Sequence, residues 1–166
     1  IKWNKFSLDT STTTSKANTL ADLPEYIRTM FDVDRDAAGR MLIVNGQVLY
    51  HEIEASVAEK GVIYTDLQTA AQTHSDLVEP HLMSKCVPPS DSKFAALNAA
   101  FWQNGTFLYV PKEVEVHIPF HTIVLIEGEG ATHIHRSLVV AEFYGNVNFI
   151  EEVASSNDDD LGLNVG

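Results

Sequence analysis

Two textures of hydrophobic patterning divide this chain near residue 104. Before that point, apolar residues recur in threes and fours. Leu23, Tyr26, Ile27 and Met30 predict a helix over 21–31, with Pro24 tolerated near its first turn. Met41 to Tyr50 places Asn45-Gly46 between two apolar runs and predicts a hairpin, because both turn residues accept positive φ. Ser56-Val-Ala-Glu59 has the form of a capping box, closed by Gly61, and Val62-Ile-Tyr64 reads as a short strand. Thr65 and Gln68 form a second box opening a helix through Ala71; a further helix spans 76–83, with Pro80 in its first turn or kinking it. Pro88-Pro89 breaks the chain, and Ser90 or Ser92 caps a helix whose apolar stripe is Phe94, Leu97 and Phe101.

From Gly105 the pattern changes to short strands, predicted at 106–110, 113–118, 121–127, 132–141 and 146–152. Pro111-Lys112, Pro119, Gly128-Glu-Gly130 and Gly145-Asn146 mark the turns between them. This spacing fits a sandwich, a barrel or a β-solenoid, and no exact repeat chooses among them. The resulting organisation is a mobile, Ser/Thr-rich segment at 1–20, a helical region with a hairpin at 21–104, a β core at 105–154 and a loop or tail at 155–166.

Composition narrows the function. The 166 residues suit one domain or a little more, and 45% hydrophobic residues supply a core. A formal net charge of −12 opposes nucleic-acid binding and docking on an anionic membrane surface, although Asp158-Asp159-Asp160 concentrates part of it near the tail. No apolar run reaches the roughly 20 residues of a membrane span, and Ile1 to Phe6 does not resemble a signal peptide, so a cytoplasmic location is expected. The single cysteine, Cys86, excludes an intramolecular disulfide framework.

The sharpest chemical candidate is His133-Ile-His135. Residues i and i+2 of a strand share a face, so both imidazoles could bind one metal, with Gly128 and Gly130 before them and Glu142 after, as in cupin barrels. The spacing to Glu142 is longer than in cupins, no later histidine follows, and His117 and His121 would have to be brought round by the fold. The competing reading is two ordinary histidines on a half-exposed strand. Arg136 falls on the opposite face and is expected to pair with Glu127, Glu129 or Glu142. Cys86 follows a lysine but has no second cysteine, so it reads as an ordinary thiol. Glu151-Glu152 point to opposite strand faces and make no acid/base pair. No phosphate loop or nucleophile elbow is present, and no catalytic residue is assigned.

Several ordered blocks resemble the SufB/SufD family, the scaffold proteins of the Suf iron–sulfur cluster assembly system. They are Gly61-Val-Ile-Tyr-Thr-Asp-Leu67, Lys93-Phe-Ala-Ala-Leu-Asn-Ala-Ala-Phe101 and Gly105 to Pro119, followed by His135-Arg-Ser-Leu-Val-Val-Ala141 and Phe149-Ile-Glu151. The likeness covers roughly residues 20–155. Lys2-Trp-Asn-Lys-Phe6 is similar to the segment that opens the SufD branch but lacks its Tyr-Thr. The hairpin and helices before Ala95-Ala-Leu-Asn-Ala-Ala-Phe101 match the SufD branch better than the SufB branch, whose sulfur-accepting cysteine has no counterpart block around Cys86. The resemblance implies an α+β fold: a small N-terminal helical region with a hairpin, then the first coils of a β-helix (β-solenoid). It implies a non-enzymatic scaffold working with the SufC ATPase and the SufB scaffold, the iron–sulfur cluster being handled by the SufBCD complex. It also implies a chain that continues beyond residue 166, and uncovered strand edges that favour self-association. The alternative is a cupin-like metal-binding protein using His133 and His135.

Overall fold

A computed structural model describes residues 14–32, 35–84, 86–155 and 163–165. Within them the fold mixes five helices and nine strands, and no sheet closes into a barrel.

The first layer follows from turn and cap chemistry. A single 3-10 turn, Leu20–Asp22, precedes helix α1, Glu25–Met30. The expected continuous helix is interrupted because Leu23 precedes Pro24 and is pushed to extended backbone, φ −73° and ψ 148°. Strands β1 (Gly39–Val44) and β2 (Gln47–Ile53) form the expected hairpin, with Asn45 at φ 47° and Gly46 at φ 83°. Asn45 also ties the turn to the core: its Nδ2 donates to Glu127 O at 2.9 Å, and Glu127 N donates back to its Oδ1 at 3.0 Å.

The next elements depart from the expected caps. Helix α2 covers Ala55–Ala58 with Glu54, not Ser56, at its N-cap; Ser56 Oγ instead donates to the Glu54 carboxylate. Strand β3 (Ile63–Asp66) takes Thr65 into the sheet, and the Asp66 carboxylate caps helix α3 (Leu67–Thr73) by accepting from Thr69 N at 3.0 Å. Helix α4 is only Ser75–Val78, shorter than the predicted 76–83, and the chain turns at Glu79-Pro80. Helix α5, Lys93–Phe101, is capped as expected by Ser92, whose Oγ accepts from Ala95 N.

Six strands follow: β4 (Thr106–Val110), β5 (Glu115–Ile126), β6 (Thr132–Ile134), β7 (Leu138–Ala141), β8 (Asn146–Ser155) and β9 (Leu163–Val165). Two boundaries differ from expectation. The strands predicted at 113–118 and 121–127 are one, β5, with Pro119 inside it at a register irregularity against β8, where a residue without an N–H is tolerated. The predicted 132–141 strand is two, β6 and β7, separated by His135 to Ser137. The segment expected as a loop or tail contains β9.

The pairing order carries the architecture. Strand β4 pairs with β7, β5 with β8 and β6 with β9, each in parallel and each three strands later in the chain. Thr106 to Ser137, Gln103 to Ile134 and Asn148 to His117 are bonded across the same separation of 31 residues. On the other side of this stack, β1 runs parallel to β5 with β2 beyond it, and β3 pairs antiparallel with β4. The sheets are therefore β2-β1-β5-β8, β3-β4-β7 and β6-β9.

Between the first two sheets lie Met41, Ile43, Tyr64, Leu108, Val116 and Phe120. Leu23, Ile27 and Phe31 cover the outer face of the first sheet, against Leu42, Ile123 and Leu125. Leu67, Ala70 and Val78 cover the second, against Phe107 and Val140. Strand β5 is buried on both faces from Phe120 to Ile126, which explains the uninterrupted apolar run Ile123 to Ile126. The 1–20 segment expected to be mobile lies outside the described residues as far as 13. Beyond that, Thr14 Oγ1 donates to Glu127 Oε1 at 2.8 Å and Ala17 is buried.

Candidate functional site

A line of polar side chains runs through the interior between the sheets. Tyr64 Oη lies 2.8 Å from Thr122 Oγ1, which lies 2.9 Å from Thr106 Oγ1. The Thr106 amide donates to Ser137 Oγ at 3.2 Å, and Ser137 Oγ donates to Glu151 Oε2. Glu151 Oε1 then meets His135 Nε2 at 2.9 Å. The His135 ring stacks on His133, with centroids 5.6 Å apart and planes 10° from parallel. His133 Nδ1 is 3.3 Å from Gln103 Oε1, which also accepts from Ile134 N at 3.1 Å. These contacts draw on β3, β4, β5, β6, β8 and the two short connections flanking them.

Burial sets the protonation pattern. His133 is wholly buried, and its Nε2 has no hydrogen-bond partner. Burial first, and the neighbouring His135 second, hold its pKa down at about 4, with Glu151 only partly opposing them. For Glu151 burial acts upward, but the hydrogen bonds from His135 and Ser137 and the two imidazoles outweigh it, and its carboxyl stays below the ordinary range. At neutral pH the cluster therefore holds a neutral His133 and an ionised Glu151. Burial likewise pulls His121 down against the pull of Glu152, whose Oε1 sits 3.1 Å from its Nε2 without hydrogen-bond alignment.

The sequence candidates are distributed as follows. His133 and His135 share a face, as their spacing requires. Glu142 is apart from them, its amide bonded to Val110 O at the far end of β7. His117 is exposed beside Glu115, and His121 packs edge-on to Phe31, so neither joins the pair. Among the described residues no three His, Cys, Asp or Glu side chains converge on a metal-binding point. His135 Nε2 is committed to Glu151, and the closed barrel on which the cupin-like reading depends is not formed. Arg136 does not pair with Glu127, Glu129 or Glu142: its Nε donates to Asn98 Oδ1 at 2.7 Å and its Nη1 lies 3.5 Å from Val87 O. Cys86 is exposed. Glu151 and Glu152 do diverge, one to His135 and the other to His121.

Sequence reasoning missed Glu151, Ser137 and Gln103 as partners of the histidine pair. Only the strand offset reveals them, since Glu151 meets His135 because β8 stacks on β5, 16 residues from its partner with no local periodicity to mark it. Chemically the cluster can bind and hold protons; its serine hydroxyl, Ser137 Oγ, donates to the Glu151 carboxylate rather than to an imidazole.

Residues 6–121 match the family model described as the SufBD protein N-terminal region. An iron-sulfur cluster assembly SufBD family protein of Staphylococcus haemolyticus is 34% identical over 137 residues, covering 78% of this chain and 29% of that protein. A relative of the same description from Staphylococcus epidermidis, strain RP62A, and another from Staphylococcus aureus, strain MRSA252, show the same identity and coverage. The chain thus spans 29% of the length of these relatives.

Proposed function

Because the chain belongs to the SufBD family, we propose that it supplies the N-terminal-region part of a non-enzymatic scaffold subunit for iron–sulfur cluster assembly, in the SufD role. The match of residues 6–121 to the family's N-terminal region carries this reading. The SufD role is supported by the arrangement of hairpin and helices before Ala95 to Phe101, and by an exposed Cys86 set apart from the polar interior. The cluster is the cargo of the assembly, not a resident group of this chain.

The architecture is read as the first coils of a β-helix. Its support is the parallel pairing of each strand with the third one after it, together with the recurring separation of 31 residues. In that reading β1, β2 and β3 cover the leading edge of the first coil, and β7 and β8 offer the edge on which later coils continue. The partners are SufC, which hydrolyses ATP in trans, and SufB; a second copy competes for the same open edge. A cytoplasmic setting suits this role, and no helix among the described residues is long and apolar enough to cross a membrane. A net charge of −12 argues for protein partners over nucleic acid or anionic lipid.

The test is co-expression of the full-length protein with SufC and SufB of its own organism, followed by size exclusion. A complex containing all three is expected. Elution of the protein without either partner overturns the scaffold reading. A complex that forms with a SufD protein in place of SufB assigns the chain to the SufB role.

A further inference from the structure

Helix α5 turns Phe94 and Phe101 of its apolar stripe outward, with Leu97 half-buried. Ala95 and Asn98 are its buried residues, while Phe94 is 45% and Phe101 52% exposed. Beside Phe94 is a cleft of about 250 Å³ lined by Val87, Ser92, Phe94 and Ala95 on one side and by Asn98, Arg136 and Ser137 on the other. Val87 is also exposed, at 47%. The cleft therefore has an apolar rim and one cationic side chain.

The way Arg136 is held is the informative part. Asn98, only 4% exposed, anchors itself by donating from Nδ2 to His135 O at 2.7 Å, and its Oδ1 accepts from Arg136 Nε. A neutral amide thus fixes one edge of the guanidinium without neutralising it. Among the described residues, the only other hydrogen bond to it is the long one to Val87 O, and no carboxylate forms an ion pair with it. In a chain with 23 acidic and 11 basic residues, a part-buried arginine left without an acid is a cost unless something supplies the anion. The nearest acid through bonded neighbours, Glu151, is spent on Ser137 and His135.

We propose that this cleft binds a carboxylate carried on an apolar body, the carboxylate on the Nη edge of Arg136 and the apolar part against Phe94 and Val87. A planar carboxylate matches the guanidinium fork two bonds to two. The lining itself offers one cation, beside an ionised Glu151, while the neighbouring Lys93 ammonium is placed over the Phe94 ring at 5.1 Å from its centroid; this suits a monoanion better than a phosphate dianion, which gathers several donors. Two sources share this chemistry: a free aliphatic acid, and an acidic side chain flanked by apolar residues on a partner protein. The inference stands independently of the scaffold role.

The probes are hexanoate, acetate, inorganic phosphate and the capped peptide acetyl-Leu-Glu-Leu-amide, titrated calorimetrically into the full chain. Saturable binding of hexanoate or the peptide is expected, with acetate and phosphate each at least about tenfold weaker. Arg136→Gln should weaken the better probe about tenfold or more, as expected for loss of charge-assisted bonds. Phe94→Ala, at an exposed position that does not threaten folding, should weaken it several-fold. Tighter peptide binding assigns the site to a partner's acidic segment; tighter hexanoate binding assigns it to a free acid. Phosphate binding as tightly as hexanoate, no saturable binding of either apolar probe, or binding indifferent to Phe94→Ala overturns the proposal.

Discussion

Acidification should destabilise this protein through His133, and substitution there should remove that part of the effect. His133 titrates near 4 in the folded chain, against an ordinary value of 6.5. The folded value is the lower one, so the unfolded chain binds the extra proton first. Stability is complete above about 6.5 and is lost as pH falls towards 4. The full difference corresponds to about 3 kcal/mol, and about 2 kcal/mol is already lost at pH 5. Because the ring is wholly buried, solvent screening does not reduce this. His121 shifts in the same direction and adds to the slope; Glu151, whose folded value is also depressed, adds its own loss at lower pH. The informative variant is His133→Leu. It deletes a buried Nε2 without a partner, and Gln103 Oε1 keeps its bond from Ile134 N. Urea unfolding at pH 7.5 and 5.0 measures the effect, seen also as a fall of roughly 4–8 °C in melting temperature for the parent protein. The variant should lose about 2 kcal/mol less than the parent over that interval. An equal loss in both would refute the assignment of the slope to a neutral, buried His133.

Other substitutions probe the contacts that join the layers. A Cβ on Gly105 would overlap the Arg136 carbonyl carbon and oxygen, so Gly105→Ala should cost about 3 kcal/mol or more, read by thermal melting or as loss of soluble protein. Asn45→Ala removes both bonds to the Glu127 backbone from a residue at positive φ and should cost about 2–3 kcal/mol in urea, with Asn45→Asp retaining part of it. Tyr64→Phe leaves Thr122 and Thr106 bonded to each other but deletes the hydroxyl that reaches His121 O, at a cost of about 1–2 kcal/mol by the same assay.

Much of the local structure was legible because it depends on neighbours in the chain. Asn45-Gly46 announced its hairpin and Ser92 its helix, since turn and cap preferences involve only a few residues. The caps expected at Ser56 and Thr65 lie one or two positions away, at Glu54 and Asp66; the Asp66 carboxylate satisfies its helix end, whereas the Glu54 carboxylate accepts from Ser56 Oγ and makes no capping bond. The family too was written in the chain, because ordered blocks of sequence survive comparison without any knowledge of contacts.

The stripe on α5 marks where local reasoning stops. Phe94, Leu97 and Phe101 have the spacing of a buried face, yet Ala95 and Asn98 are the residues turned inward, because Asn98 must reach His135 O and Arg136. Periodicity identifies a stripe but not the surface it meets. The same holds for the interior cluster. The chain fixed that His133 and His135 lie on one face of a strand, a consequence of backbone pleat alone. Their partners Gln103, Ser137 and Glu151, and the depressed titration of His133, were decided only by tertiary structure. Stacking each strand on the third one before it brings those residues together and excludes water. Hydrogen bonding and desolvation depend on what surrounds a group in space, which for strands stacked at long separation no local pattern encodes.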